Sequence, residues 1–220
     1  MSMFLGPIHY MMFGKIKNAA DRSREIIKTF NAKYPAETAE VVKAALPDGA
    51  VDFGTSTLDE ILGDNPIHHF LQSLIDSVEV AEAALVTALL YRFPDDGEKL
   101  LAKAFYEHGR KTCEKALGGK PATSPLGAFQ QIMGTQYLEG MPCDQVSSFK
   151  MKGQNLLEVG HSDCLHRAKW EEAGAPTHTM CALLDQWALG CANAIDPKIT
   201  LVRSAAIVNG TTECSCQVTA

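Results

Sequence analysis

The hexapeptide HSDCLH, His161 to His166, sets two imidazoles and a thiol within six residues. It follows a short apolar run, NLLEV, and precedes a helical-looking one, LHRAKWEEAG. Three chemistries fit it. A helix starting at Ser162 or Asp163 would place Cys164 in its first turn, where free backbone N–H groups and the positive end of the helix dipole favour a thiolate. His161 then adds positive charge or serves as a base, which is the arrangement of an activated nucleophile. Alternatively, His161, Cys164 and His166 supply three ligands to zinc or iron, with a fourth from elsewhere. In the plainest reading Cys164 is a small buried residue and the histidines bond backbone groups.

A second thiol repeats the arrangement. Thr179-Met180-Cys181 opens the next predicted helix, with Thr177 or Thr179 as its cap. Asp185 lies four residues on, on the same face. Thiol and carboxylate one turn apart can act as nucleophile and as base or orienting group. Yet Cys181, Leu184, Ala188 and Cys191 also form a stripe at core spacing, and a carboxylate beside such a stripe needs a partner. Cys214 and Cys216 form a C-x-C whose side chains share one strand face; they can chelate weakly, form a redox pair, or pack. The N-terminal FLGPIHYMMFGKI, rich in aromatic and methionine residues, can wrap the core, line a pocket or touch a partner or membrane surface. Packing is the simplest of these. Glu79-Val80-Ala81-Glu82 and Tyr106-Glu107-His108 lack the paired Glu-x-x-His of a di-iron bundle.

The elements that must position these residues change character along the chain. RSREIIKTF and ETAEVVKAAL read as short amphipathic helices separated at Pro35 and closed by Pro47-Asp48-Gly49. Asp64-Asn65-Pro66 starts a long helix, about 67–91, with Asp64 or Asn65 as cap. Its Leu71, Leu74, Ile75, Val78, Leu85, Ala88 and Leu89 recur at three-and-four spacing and predict one buried face. A helix over 97–117 ends at Gly118-Gly119, and another runs from Ser124-Pro125 to about Leu138. Beyond Pro142, QVSSFKMKG and NLLEV flank a Gly153-Gln154-Asn155 turn as a hairpin. Helices over 163–173 and 180–194 follow. ITLVRSAAIV then reads as a strand that returns through Asn209-Gly210 into ECSCQV. The fold class is α+β: a mainly helical portion, residues 1–140, packed on an antiparallel sheet with two helices, residues 141–220, as one composite domain.

Composition narrows the function. The 220 residues are 46% hydrophobic and carry a net charge of −6, with no basic cluster, so nucleic acid is not the expected partner. The longest apolar stretch, AALVTALLY, is far shorter than the roughly 20 residues that span a bilayer. Seven cysteines, an odd number gathered mainly near the C-terminus, do not suit a secreted disulfide framework. No basic residue precedes the first apolar run, as it would in a secretory leader. A reducing, cytoplasmic setting with free thiols is the expectation. The helical first half can dimerise, which leaves a homo-oligomer open.

The order of the C-terminal motifs resembles the L-2-amino-thiazoline-4-carboxylic acid hydrolase family. The series is Cys164 after a short strand, a helix ending in Glu-Ala-Gly, Cys181 with Asp185, Asn193 with Pro197 and Ile199, and Gly210 with Cys214. Upstream, YEHGR looks like the family's helix with a Gly-Arg pair. The resemblance covers about half of the chain. It implies hydrolytic opening of a thiazoline ring at a C=N carbon. Asp163 stands where the family has a basic residue, Leu165-His166 replace Pro-Tyr-Ala, and Cys216 replaces an aromatic, so the thiazoline substrate itself does not carry over. A broadly similar small-molecule-binding domain related to vinyl reductases keeps a binding role in view.

Two functions are therefore expected. In the first, a small-molecule hydrolase opens a C–N bond of a cyclic amidine or amide. Cys164 or Cys181 attacks, Asp185 with His161 or His166 moves protons, and Arg110, helped by Asn193, holds the substrate. In the second, the protein is a non-catalytic module for a metal, a tetrapyrrole or another cofactor, held by His161, Cys164, His166 and Cys181, with His9 as an outside donor.

Overall fold

Proline and glycine set most of the boundaries. The computed structural model describes residues 5–220; residues 1–4, with the start of the apolar N-terminal run, lie outside the described residues. Pro7 opens α1 (Pro7–Asn31) and Pro35 opens α2 (Pro35–Ala45), where a missing N–H costs nothing. A five-residue α3 (Leu58–Leu62) is capped by Thr57, whose side chain accepts from Glu60 N–H while Glu60 reaches back. Then come α4 (Ile67–Arg92), α5 (Gly97–Leu117) and α6 (Pro125–Gln136). Gly118 closes α5 at φ 58°, a left-handed position where a side chain would be strained. The order ends β1 (Ser147–Met151), β2 (Leu156–His161), α7 (Arg167–Glu172), α8 (Thr177–Ile195), β3 (Thr200–Ala205) and β4 (Cys214–Thr219). The four strands form one antiparallel sheet in the order β1-β2-β4-β3. The fold is α+β, with helices first and strands last.

Several local expectations are corrected. RSREIIKTF is not a separate short helix: from Pro7 the segment FLGPIHYMMFGKI forms the first half of α1 and runs on into it, with Met12, Phe13 and Ile16 buried as packing predicts. Asp64 and Asn65 do not cap α4; Pro66 takes that place without a side-chain bond, and Asn65 donates instead to the Leu62 carbonyl. The strand expected over ITLVRSAAIV stops at Ala205, and a 3-10 turn, Ile207–Asn209, replaces the tight Asn209-Gly210 hairpin turn.

Two helices set the frame of the core. α8 packs on α5, and its partners include α6, α7 and β3. The α5–α8 crossing is so close that a Cβ on Gly109 would lie 2.0 Å from the Trp187 carbonyl oxygen, and one on Gly190 would lie 2.0 Å from the Tyr106 carbonyl oxygen. Because the atoms in the way are backbone, Gly109→Ala must push the helices apart. The expected cost is about 1–3 kcal/mol, toward the upper end, read as a lower urea midpoint. An unchanged midpoint would mean that the crossing is looser than described. On the sheet, Cys214, Cys216 and Val218 alternate inward with Gln217 and Thr219 outward, so the C-x-C shares its face with the core.

Inside the helical layer lies a buried polar seam. Arg22 of α1 donates to both oxygens of Glu82 of α4, Nε to Oε2 at 2.6 Å and Nη2 to Oε1 at 2.7 Å, with both residues buried. The guanidinium also lies over the Phe105 ring, 5.1 Å from its centroid. One turn earlier on α4, Glu79 accepts from His166 Nδ1 at 2.8 Å. This seam leads from α4 to the sheet end of the molecule.

Candidate functional site

Three recesses meet where the helices abut the end of β2, and Tyr137 and His161 line each of them. The widest, about 270 Å³, is walled by Met11, Met12, Lys15, Met133 and Phe149. A narrow one, about 30 Å³, is walled by Cys164, His166, Trp170, Cys181 and Cys214. The third, also about 30 Å³, lies against Asp185, Arg203 and Cys216. Glu139 borders the first two. The structure therefore brings His161, Cys164, His166 and Cys181 to one recess, with Asp185 in the adjoining one. It does not bring Arg110 or Asn193 there. Arg110 pairs with Glu107 and Glu114 along α5. Asn193 donates to the Ile199 carbonyl and accepts from Tyr106 O–H, which ties α8 to α5 and to the start of β3.

His161 ends β2, paired across the sheet with Ser147 and Cys214. Its Nε2 lies 3.1 Å from Glu139 Oε1, and both side chains are largely buried. The other Glu139 oxygen accepts from the Ser147 hydroxyl. Burial works to raise the Glu139 carboxyl, but His161, with Ser147, holds it below the usual carboxylate range. Nε2 faces this carboxylate at ion-pair distance without hydrogen-bond alignment, and a proton placed on Nε2 toward Glu139 would leave Nδ1 as the ring's acceptor. Nδ1 has no hydrogen-bond partner among the described residues.

His166 is used differently. It is buried, stacked on Trp170 with ring centroids 5.2 Å apart and 8° between planes, and bonded at both nitrogens: Nδ1 to Glu79, and Nε2 to the Tyr137 hydroxyl at 3.3 Å. Burial pulls its pKa down, but the charge and hydrogen bond of Glu79 outweigh it, and the net shift is upward. Glu79 is the mirror case: burial raises it, and His166 with Lys169 brings it below its ordinary value. Lys169 Nζ stands 3.3 Å from Glu79 Oε2 without hydrogen-bond alignment, so this buried oxygen lacks a bonded donor among the described residues. The pair gives a pH signature. His166 contributes fully below its unfolded value near 6.5 and loses that contribution as pH rises through the raised folded value. Glu79 contributes above its unfolded value near 4.3 and loses it as pH falls through the depressed one. His166→Gln is expected to cost about 1–3 kcal/mol between roughly pH 4.5 and 6.5, and less at pH 8. The difference between wild-type and variant unfolding curves measures this directly. His108, whose buried imidazole is pushed down to about 3, weakens both proteins alike below its ordinary value and cancels. A difference independent of pH would rule out a charged His166.

The thiols correct the expected activation. α7 begins at Arg167, not at Ser162 or Asp163, so Cys164 sits in the turn before it. Asp163 Oδ1 accepts from Cys164 N–H, and Ser162 N–H bonds the Val146 carbonyl, continuing the strand register in place of a helix start. Burial raises the Cys164 thiol, while backbone N–H groups of Arg167 and His166 partly offset it. α8 begins at Thr177, so Cys181 is a full turn inside the helix. Burial pushes it up to about 11 against the pull of Arg203. Asp185 is not free to serve Cys181: Arg203 grips it with two nitrogens, Nε to Oδ2 at 2.8 Å. Among the described residues no group of three or more His, Cys, Asp or Glu side chains is placed to hold a metal ion. His166 spends both nitrogens and His161 one, so His161, Cys164 and His166 do not form the three-ligand set that their spacing allowed. His9 accepts from Gly6 N–H and packs on His68 at the start of α1, where it lines none of the three recesses.

Four participants escaped the sequence reading: Tyr137, Glu139, Lys15 and Arg203. Arg203 alone left a readable signal. In β3 it shares the inward parity of Leu201 and Ala205, where a charge needs a buried partner. Among the described residues no helix is long and apolar enough to cross a membrane. Compared with protein-family models, curated proteins and solved structures, the chain has no match, and its function is read from this cleft.

Proposed function

We propose that the cleft hydrolyses a C–N bond in a small cyclic amidine or amide that carries a carboxylate. The observation that carries this reading is the Glu139–His161 pair, whose unpartnered Nδ1 belongs to a residue bordering all three recesses beside Cys164. The motif order resembling thiazoline-carboxylate hydrolases agrees with it. Cys164 is the nucleophile because it borders the recess with His161 and the backbone N–H groups of Arg167 and His166 partly offset the burial of its thiol, whereas burial pushes Cys181 up to about 11. As Sγ bonds to the C=N carbon, the thiol proton moves to His161 Nδ1 and then to the departing nitrogen. His161 next takes a proton from water, which attacks the sulfur-bound carbon and releases the thiol. Glu139 stabilises the imidazolium formed in each half.

The substrate carboxylate falls to Lys15 rather than Arg110. Lys15 lines the wide recess, and burial lowers its pKa even against the field of Glu139, so a bound anion would relieve it. Steady-state hydrolysis of a panel of carboxylate-bearing five-membered cyclic amidines and amides tests this. Wild type turns over at least one of them. Lys15→Met raises KM about tenfold or more and leaves a decarboxylated analogue unaffected. Absence of turnover across the panel, or an unchanged KM in Lys15→Met, would overturn the respective assignment.

A further inference from the structure

A second concavity lies away from this cleft, in the groove between α1 and α5, and shares no lining residue with it. It encloses about 680 Å³. Lys17, Arg24 and Lys28 from α1 and Lys111 and Lys115 from α5 line it, against the carboxylates of Asp21 and Glu25. The lining thus carries an excess of three positive charges in a chain whose net charge is −6. Some of these cations are engaged. Lys111 pairs with Glu25 at 2.7 Å, Arg24 with Asp21 and Asp52, and Lys17 donates to the Gly54 and Ser56 carbonyls. Lys28 and Lys115, one on each wall and both exposed, have no ion-pair partner among the described residues.

The floor supplies an independent sign. His108 borders the groove yet is only 6% exposed. Its Nδ1 accepts from Trp187 Nε1–H at 2.9 Å. That bond fixes the neutral tautomer with the proton on Nε2, and Nε2–H has no acceptor among the described residues. The ring edge opposite Trp187 therefore turns an unspent donor toward the net positive groove. An N–H directed into the groove from an otherwise buried ring can donate to an anion seated there. The lining has no Phe, Tyr or Trp ring to stack a nucleobase.

We infer that the α1–α5 groove binds a compact polyanion, a diphosphate-like or polycarboxylate group, between Lys28 and Lys115 and above His108 Nε2–H. The recognition is charge-assisted hydrogen bonding from two walls, and it does not depend on the cleft being catalytic.

Isothermal titration of the full chain with pyrophosphate and, separately, with citrate tests it. Saturable one-to-one binding is expected, weakened about tenfold or more in the Lys28→Gln/Lys115→Gln double variant. Ala116→Glu, which adds a carboxylate to the same wall, gives a second reading that does not depend on the double variant folding. The His108 Nε2–H resonance should shift on saturation. Binding of pyrophosphate alone specifies phosphate chemistry, and equal binding of citrate specifies charge; either result supports the groove. No saturable binding of either anion, or wild-type affinity in the folded variants, would overturn it.

Discussion

Replacing Glu82 with alanine is expected to cost the fold about 3–5 kcal/mol, a large part of the roughly 5–15 kcal/mol that holds a domain together. The reason is the charge left behind. Arg22 is 6% exposed, its guanidinium is gripped at two nitrogens by Glu82 and lies over the Phe105 face, and Tyr137 and Glu79 act on it without bonding it. Removing the carboxylate strands a guanidinium that cannot lose its proton. The pair as a unit is a different matter, since apolar replacement of both partners is often neutral or better. Urea unfolding of Glu82→Ala should show a clear fall in midpoint, and Arg22→Met/Glu82→Leu should recover most of it. A single variant as stable as wild type would mean that water reaches Arg22.

The second large effect falls on the proposed hydrolysis. His161→Gln is expected to lower kcat about 10²–10⁴-fold while the fold survives. Glutamine can still reach Glu139, so the local polar contact persists, but it cannot take a proton. Glu139→Gln should cost less, because the imidazole remains and loses only its orientation and the stabilisation of its charged form. The ratio of the two losses separates a base from its support. Equal, small losses would demote His161 to a wall residue.

Much of the helical architecture was legible because its signals are local. The Leu71–Ile75–Val78 stripe predicts the buried face of α4, and Pro35, Pro125 and Gly118-Gly119 mark real ends. The start of α1 was not legible, because Met11, Met12 and Phe13 give an apolar run without a clean period. The start of α7 misled for a specific reason. Ser162 and Asp163 are good caps in isolation, but the strand pairing of Ser162 with Val146 and the turn made by Asp163 delay the helix to Arg167. The site was half legible. HSDCLH and Cys181 do meet at one recess, whereas the partners that set their electrostatics are remote in sequence. Glu79 lies 87 residues from His166, and only the folded chain sets Arg203 against Asp185. Glu79 and Glu82 did leave a trace, since both interrupt the apolar side of α4. Pairing them with His166 and Arg22 needed the packing of α4 against α1 and α7.

The proposed hydrolysis turns on a bond from Cys164, served by His161, to substrate. Its most direct test is an acid quench during turnover of a carboxylate-bearing cyclic amidine, followed by intact-mass measurement and peptide mapping. A substoichiometric adduct on Cys164 is expected, absent in Cys164→Ser, with turnover lost in that variant and kept in Cys181→Ser. Undiminished turnover in Cys164→Ser with no adduct on any thiol would contradict it and leave His161 acting on water alone.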